Sequence, residues 1–184
     1  MNELQPDVRL VRPTPKYLES YLEACREFKA VGTRYASMED PDAFEEWKDT
    51  IFQKFYDSER GIGLREGWVP STTFWLVKGL EFIGTGNIRH RLTSSLEKYG
   101  GTIGYAIRPS YWNQGYGTLQ LRLLLREAYL LGIDPALITC DLDNPASARV
   151  MVKNGGRLID IRKRLIDGVQ RTICRYEVPT CQSL

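Results

Sequence analysis

Histidine occurs once in the 184 residues, and the four cysteines, Cys25, Cys140, Cys174 and Cys181, form no C-x-x-C pair. A set this sparse excludes a zinc centre of the usual ligand spacing, so no metal is expected and the cysteines read as free thiols in a reducing compartment. Nowhere does the chain approach the roughly 18 consecutive apolar residues of a membrane-spanning helix. The opening "MNELQPDVRL" has no apolar core of a secretion signal. Together these predict a cytoplasmic protein with no membrane partner. Charge of one sign is lacking too: a formal net charge of +2 gives no footprint for nucleic acid, and the run Arg162-Lys163-Arg164 has no interleaved aromatics. Internal repeats and low-complexity stretches are also missing.

What is present is ordinary globular composition, 42% hydrophobic and 26% charged, enough for one domain over 1–184 with a substantial core. "DVRLVRP" alternates as a first strand closed by Pro13. Thr14-Pro15 opens a helix through about Lys29, and Asp40-Pro41 repeats that device. Phe44, Trp47, Ile51 and Phe55 then fall on one face of a second amphipathic helix. Beyond the loop "GIGLREGWVPS", "TTFWLVKG" and "EFIGTGNIRHRL" read as a hairpin around Gly79-Leu80, and "GGTIGYAIRP" as a third strand. The segment "YWNQGYGTLQLRLLLREAYLLG" is a helix ended by Gly132. "ALITC" reads as a strand buried on both faces. Asp143-Asn144-Pro145 starts a short helix ended by Gly155, and "RLIDIRKRLIDGVQRTICRYEV" is a closing hairpin turning at Asp167-Gly168. The order β-α-α-β-β-β-α-β-α-β-β predicts a mixed α+β fold with at least one parallel strand pair in an otherwise antiparallel sheet.

Gly115 and Gly117 stand at the start of the long helix, where each costs roughly 1 kcal/mol against alanine. The backbone amides from Asn113 to Thr118 belong to a loop and a first helical turn, so they lack intrahelical partners and form an anion site at the positive end of the helix. Either a phosphate or carboxylate approaches the backbone there, or the helix packs tightly against the sheet. The chain carries no GxxxxGK[ST], and Gln120 takes the place of the third glycine in GxGxxG.

With Trp112-Asn113-Gln114-Gly115-Tyr116-Gly117 after a strand ending near Pro109, and "NPASARVMVKNGG" from Asn144 to Gly156, the sequence resembles the GNAT family of N-acetyltransferases over roughly 72–156. The string "GYAIRPS…GYGT…TCDLDNPASARVMVKNGG" is similar to a bacterial subgroup of predicted acetyltransferases. The resemblance implies a GNAT-like fold in which acetyl-CoA lies in a V between the strand ending at Ile107 and the strand Ala136–Cys140. Its pyrophosphate would sit on Asn113, Gln114, Gly115, Tyr116, Gly117 and Thr118. Its pantetheine arm would pair with Ala106, Ile107 and Arg108, opposite Asn144, and an amide near Ile107 would serve the oxyanion.

Three positions depart from the pattern. Trp112 replaces an Arg or Gln, Gln114 holds a position often basic, and Met151 stands where many members carry the tyrosine that protonates the CoA thiolate. Arg122 is a candidate to compensate the missing charge, and Ser147 to replace the proton donor. His90, which with Arg89 matches an Arg-His pair of the subgroup, is the candidate base or acceptor contact. Trp47, Phe55, Trp68 and Trp75 are candidates to line the acceptor pocket. The expected function is acetyl transfer to a primary amine of a small molecule or peptide; the alternative is a non-catalytic acyl-CoA-binding module on the same fold. A homodimer through the edge of the final hairpin is a further expectation.

Overall fold

A computed structural model describes residues 7–32, 38–166 and 169–181. Strand β1 (Val8–Val11) leads through a 3-10 turn at Pro15–Tyr17 into α1 (Leu18–Ala30). The aromatic-rich segment that follows is not one helix but two, α2 (Phe44–Trp47) and α3 (Ile51–Arg60). The break falls where the Thr50 hydroxyl bonds back to the carbonyl of Trp47 at 3.3 Å, a side-chain contact that competes with helix propagation. Asp40 caps this region by accepting from the amide of Asp42, and Gly61, at φ 75°, closes it.

Strands β2 (Ser71–Lys78), β3 (Glu81–Arg89) and β4 (Ile103–Ile107) complete an antiparallel sheet in the order β1-β2-β3-β4. Gly79-Leu80 forms the β2–β3 turn, with Lys78 opposite Glu81. Helix α4 (Tyr116–Leu130) crosses to β5 (Ala136–Asp141), followed by α5 (Pro145–Lys153), β6 (Arg157–Ile166) and β7 (Val169–Val178). The last three strands form a second antiparallel sheet, β5-β7-β6. The Asp167-Gly168 turn lies outside the described residues.

The first sheet is covered on both faces. On one, Tyr21 of α1 stacks on Trp75 at 4.7 Å, with Trp47, Ile51 and Phe82 around them. On the other, Leu121, Leu124 and Leu125 of α4 join Phe74, Ile88 and Ile103 to Ile138, Cys174 and Tyr176 of the second sheet. One core therefore welds the two sheets. Gly86 is what lets α4 lie so close: a Cβ there would stand 2.5 Å from Leu124 Cδ1. Strand β5 differs from the expectation for "ALITC". Only Ala136, Ile138 and Cys140 are buried, alternating with half-exposed Leu137, Thr139 and Asp141, because α4 and α5 cover the one face to which the first three point.

Candidate active site

The expected parallel pair, β4 and β5, touches at its beginning and then parts. The amide of Thr102 donates to the carbonyl of Leu137 at 2.5 Å, and the Thr102 hydroxyl accepts from the amide of Leu137 at 3.2 Å. Beyond this double contact the strands belong to separate sheets, leaving a split that widens toward their C-terminal ends. The register fixes which backbone groups face it. Arg108 N–H donates to Ile83 and Arg89 N–H to the Thr102 carbonyl, so the alternation of an antiparallel ladder turns that carbonyl and positions 104, 106 and 108 toward β3. Positions 103, 105 and 107 face the split. Of the three residues expected to pair with a pantetheine arm, only Ile107 therefore presents its backbone, while Ala106 and Arg108 are engaged by β3. Tyr105 takes their place. The indole of Trp112 donates to the Ile107 carbonyl at 2.6 Å, leaving the amide of that residue on the open edge.

At the far end of the split the chain turns through a 3-10 turn (Pro109–Tyr111) into the glycine loop. Glu27 of α1 clamps this turn: its carboxylate accepts from Arg108 Nε at 2.7 Å and from the amide of Ser110 at 3.0 Å. Burial raises the Glu27 pKa, yet these hydrogen bonds outweigh it and the net direction is down. Asn113 and Gly115 both have positive φ, 59° and 87°. The amides of Asn113, Gln114, Gly115 and Gly117 donate to no carbonyl of the described residues, whereas Thr118 N–H bonds back to Gly115 at 3.1 Å. Gly115 is the N-cap of α4, and beyond its two chain neighbours no atom of the described residues lies within 4 Å of where its Cβ would stand. Gly117 is different: its Cβ would meet Val150 Cγ2 at 3.2 Å. The packing explanation therefore holds at Gly117 and not at Gly115. Gly115 keeps space open in front of the helix, and Gly117 lets α4 pack on α5. Gln114 folds back onto the Ser110 carbonyl at 2.9 Å, and Arg122 is exposed.

Helix α5 supplies the other wall. Asn144 caps it by accepting from the amide of Ser147 at 3.1 Å, and Asn154 Nδ2 ties its end to the Thr118 and Val150 carbonyls. Ser147 and Tyr105 meet across the split, with their hydroxyls 2.9 Å apart and the Tyr105 hydroxyl also donating to the Ser147 carbonyl at 3.3 Å. Burial pushes the Tyr105 phenol up to about 12, so it stays protonated through the neutral range. Burial likewise raises the Cys140 thiol to about 11, with a hydrogen bond to Ser147 acting the other way. Met151 is fully buried in the main core and offers nothing to the split. Tyr105 was missed in the sequence. Period-2 alternation through Ile103 and Ile107 puts it on the α4–α5 face, but nothing local shows that α5 brings a hydroxyl to meet it.

His90 lies elsewhere. It follows the end of β3, beside the junction where β4 and β5 begin, and lines a cavity with Arg89, Arg91, Thr102, Pro135 and Leu137. Its Nε2 is 2.9 Å from the Thr72 hydroxyl, which donates its proton to Glu59 at 3.2 Å. A hydroxyl has one proton, so Nε2–H donates to Thr72. The structure does not bring His90 and Ser147 together. Among the expected pocket aromatics, Trp47 and Trp75 are core, Phe55 packs against that core, and Trp68 is exposed.

A model of the GNAT acetyltransferase domain matches residues 7–157. No curated protein sequence matches the chain. Among solved structures, a ribosomal L7/L12 α-N-protein acetyltransferase, RimL, in complex with coenzyme A aligns with a TM-score of 0.70 at 18% identity, covering 97% of each chain. The microcin C7 self-immunity acetyltransferase MccE, bound to acetyl-CoA and AMP, aligns at 0.69 and 16% identity over 95% of this chain and 93% of its own. A spermidine N-acetyltransferase chimera from Vibrio cholerae and hSSAT aligns at 0.64 and 12% identity, over 95% and 96%. The chain belongs to the GNAT acetyltransferase family, has its fold, and is an acyltransferase.

Proposed function

We propose that this member of the family transfers the acetyl group of acetyl-CoA to the primary amine of a small molecule or peptide, by direct attack of the amine on the thioester carbonyl. The observation that carries this reading is the split itself: an open backbone edge at Tyr105 and Ile107 leads to a helix N-terminus where the amides of Asn113, Gln114, Gly115 and Gly117 donate to no carbonyl of the described residues and whose front is kept clear by Gly115. Such an end is built for an anion, and the open edge accepts an extended chain bearing amides. Similar structures hold coenzyme A or acetyl-CoA.

In this reading the pyrophosphate rests on the amides from Asn113 to Gly117. The pantetheine arm pairs with Tyr105 and Ile107, and Asn144 flanks it with the Nδ2 that capping leaves over. An amide of the open edge donates to the carbonyl oxygen as negative charge builds on it. The new N–C bond forms and the C–S bond breaks; the attacking nitrogen releases one proton to water, and the CoA thiolate takes a proton from the Tyr105–Ser147 hydroxyl pair, which water then refills. That pair serves where many relatives use a tyrosine on α5, the position filled here by the core residue Met151. An α-amine acceptor, with a pKa of about 7.7–8.0, is partly neutral at pH 7 and needs little help from a base. His90, beside the junction where β4 and β5 begin, takes no step in this reading.

The test pairs calorimetric titration of acetyl-CoA with release of free thiol in the presence of amines, for wild type, Gly115→Glu and Gly115→Ala. Binding lost in the glutamate variant and retained in the alanine variant supports the pyrophosphate site. Equal heats in all three, or none in wild type, would sink it.

A further inference from the structure

The second sheet turns one face to the core and the other outward. Ile138, Cys140, Cys174, Tyr176 and Val178 face α4 and α5. By the alternation of the register, Thr139, Asp141, Asp160, Arg162, Arg164, Arg171 and Arg175 lie on the opposite face. Helices α4 and α5 do not cover that face; the 96–100 turn meets part of it, with Thr139 Oγ1 donating to the Tyr99 carbonyl at 3.2 Å and Arg175 donating to the carbonyl of Glu97. This turn leads into β4 at the closed end of the split, and the face reaches the open end where Arg171 of β7 meets Asp141 at the end of β5.

Its charge is unbalanced. Over 157–178 the chain has six basic and three acidic residues, while 38–60 has three basic and eight acidic. Arg175 and Arg162 are both held by Asp160, which accounts for the one carboxylate of β6 on this face. Arg164 and Arg171 sit directly opposite each other on β6 and β7. Like charges in that position repel. Arg171 reaches Asp141 at the open end of β5, 3.1 Å away, and is still half exposed. Arg164 lies over the ring of Tyr99 at 4.8 Å, which fixes its direction without neutralising it. Two arginines with one carboxylate between them, on the lip formed by β7 and β6 one and two strands beyond β5, make a place for an anion.

We propose that the acceptor is a carboxylate-rich peptide whose terminal amine enters the split while its acidic side chains lie on Arg164 and Arg171. This rests on the acetyl-transfer reading and narrows it: a polycationic amine would be repelled at the same lip. The pair is too short a strip, with too little net charge and only Tyr99 as an aromatic neighbour, for a nucleic acid to be the better occupant.

Three peptides sharing one N-terminal residue, followed by glutamates, glutamines or lysines, would be compared by thiol release from acetyl-CoA. Binding of each labelled peptide to the CoA-saturated protein would be measured in parallel by fluorescence anisotropy. The acidic peptide is expected to lead the neutral one about tenfold in kcat/KM, with the lysine peptide last and the advantage shrinking as salt rises. Arg164→Gln with Arg171→Gln should erase the ranking, and Arg164→Glu with Arg171→Glu should reverse it, both with CoA affinity unchanged. Equal treatment of the three peptides by a protein that binds CoA overturns the inference and leaves the transfer reading standing. Loss of CoA affinity in the glutamine variant with the ranking intact assigns the arginines to the coenzyme's phosphates and also overturns it, as does displacement of the acidic peptide by a short single-stranded oligonucleotide at lower concentration. Failure to bind CoA at all counts against the transfer reading, while the anisotropy ranking still decides the charge preference.

Discussion

The loop before α4 and the β6–β7 hairpin flank the same split and are built on opposite principles. In the loop the chemistry is in the backbone: open amides, two residues at positive φ, and a missing Cβ. On the hairpin it is in side chains, a ladder of Asp160, Arg162 and Arg164 against Arg175 and Arg171. A backbone site depends on local conformation, so it tolerates change in the side chains around it. Trp112 and Gln114 bond to the Ile107 and Ser110 carbonyls and brace the loop. A side-chain site depends on which residues the register sets opposite one another, and a single substitution can rewrite it.

The sharpest way to break this contrast is to put a side chain into the backbone site. Gly115→Glu places a carboxylate where, beyond the two chain neighbours, no atom of the described residues lies, in front of amides that would each give an anion a charge-assisted hydrogen bond. Loss of two such bonds, at about 1.5 kcal/mol or more each, lowers acetyl-CoA affinity by about 100-fold or more. Gly115→Ala meets only the strain of positive φ, so it should cost about 1 kcal/mol of stability with a small effect on affinity. Calorimetry and thermal melts of both variants separate the two effects. If alanine is as damaging to binding as glutamate, then conformation and not open space is what the loop supplies.

Next in size is the pair that crosses the split. Tyr105→Phe and Ser147→Ala each remove one hydroxyl of the 2.9 Å contact. Positioned proton donors contribute typically 10²–10⁴-fold, and with water able to reach the thiolate the lower end applies, about 100-fold in kcat. The KM for acetyl-CoA should barely move. The double variant should be no worse than either single one if the hydroxyls act as a unit. A fall in KM effect and kcat effect together would make Tyr105 a packing residue of the cleft instead.

How much of this could be read from sequence follows the same division. The element order, Gly132 and Gly155 as helix ends, and the Asn144 cap are local, and each is where its spacing put it. Gly115 was legible because a glycine at a helix start costs propensity. Gly117 looked identical and is not, since Val150, the reason for it, lies on another helix. The break after Trp47 was hidden by an unbroken apolar face across α2 and α3. "ALITC" misled because five apolar or small residues say nothing about whether both faces of the strand are covered. Tyr105, Arg164 and Arg171 were illegible for one shared reason: their partners come from other elements.

A smaller effect tests the two glycines against each other. Gly117→Ala adds a methyl 3.2 Å from Val150 Cγ2, while gaining about 1 kcal/mol of helix propensity. Overpacking typically costs 1–3 kcal/mol, so the net loss in a urea melt should be about 1 kcal/mol. Val150→Ala alone opens a gap and destabilises. Combined with Gly117→Ala it should recover most of the glycine variant's loss, because the new methyl occupies the vacated space. Gly115→Ala should gain nothing from Val150→Ala. If both glycine variants respond alike, the distinction between open space and close packing collapses.

The smallest change concerns the hairpin's own stability. Asp160 is held to about 2, from an ordinary value of 3.8, chiefly by its hydrogen bonds to Arg175 and Arg162. A carboxylate with a lowered folded pKa stabilises fully above its unfolded value and loses that contribution as pH falls through its folded one. The effect therefore spans the interval from about 4 to about 2 and is absent from the neutral range. Asp160→Asn should flatten the acid limb of stability in that interval. At neutral pH it should cost little, because the group is at the surface and solvent screens it. It also frees Arg162 and Arg175 beside Arg164 and Arg171, so the same variant should bind the acidic peptide more tightly as it weakens the hairpin. A variant that lost acid stability and peptide binding together would mean that the order of the hairpin, and not its charge, is what the acceptor meets.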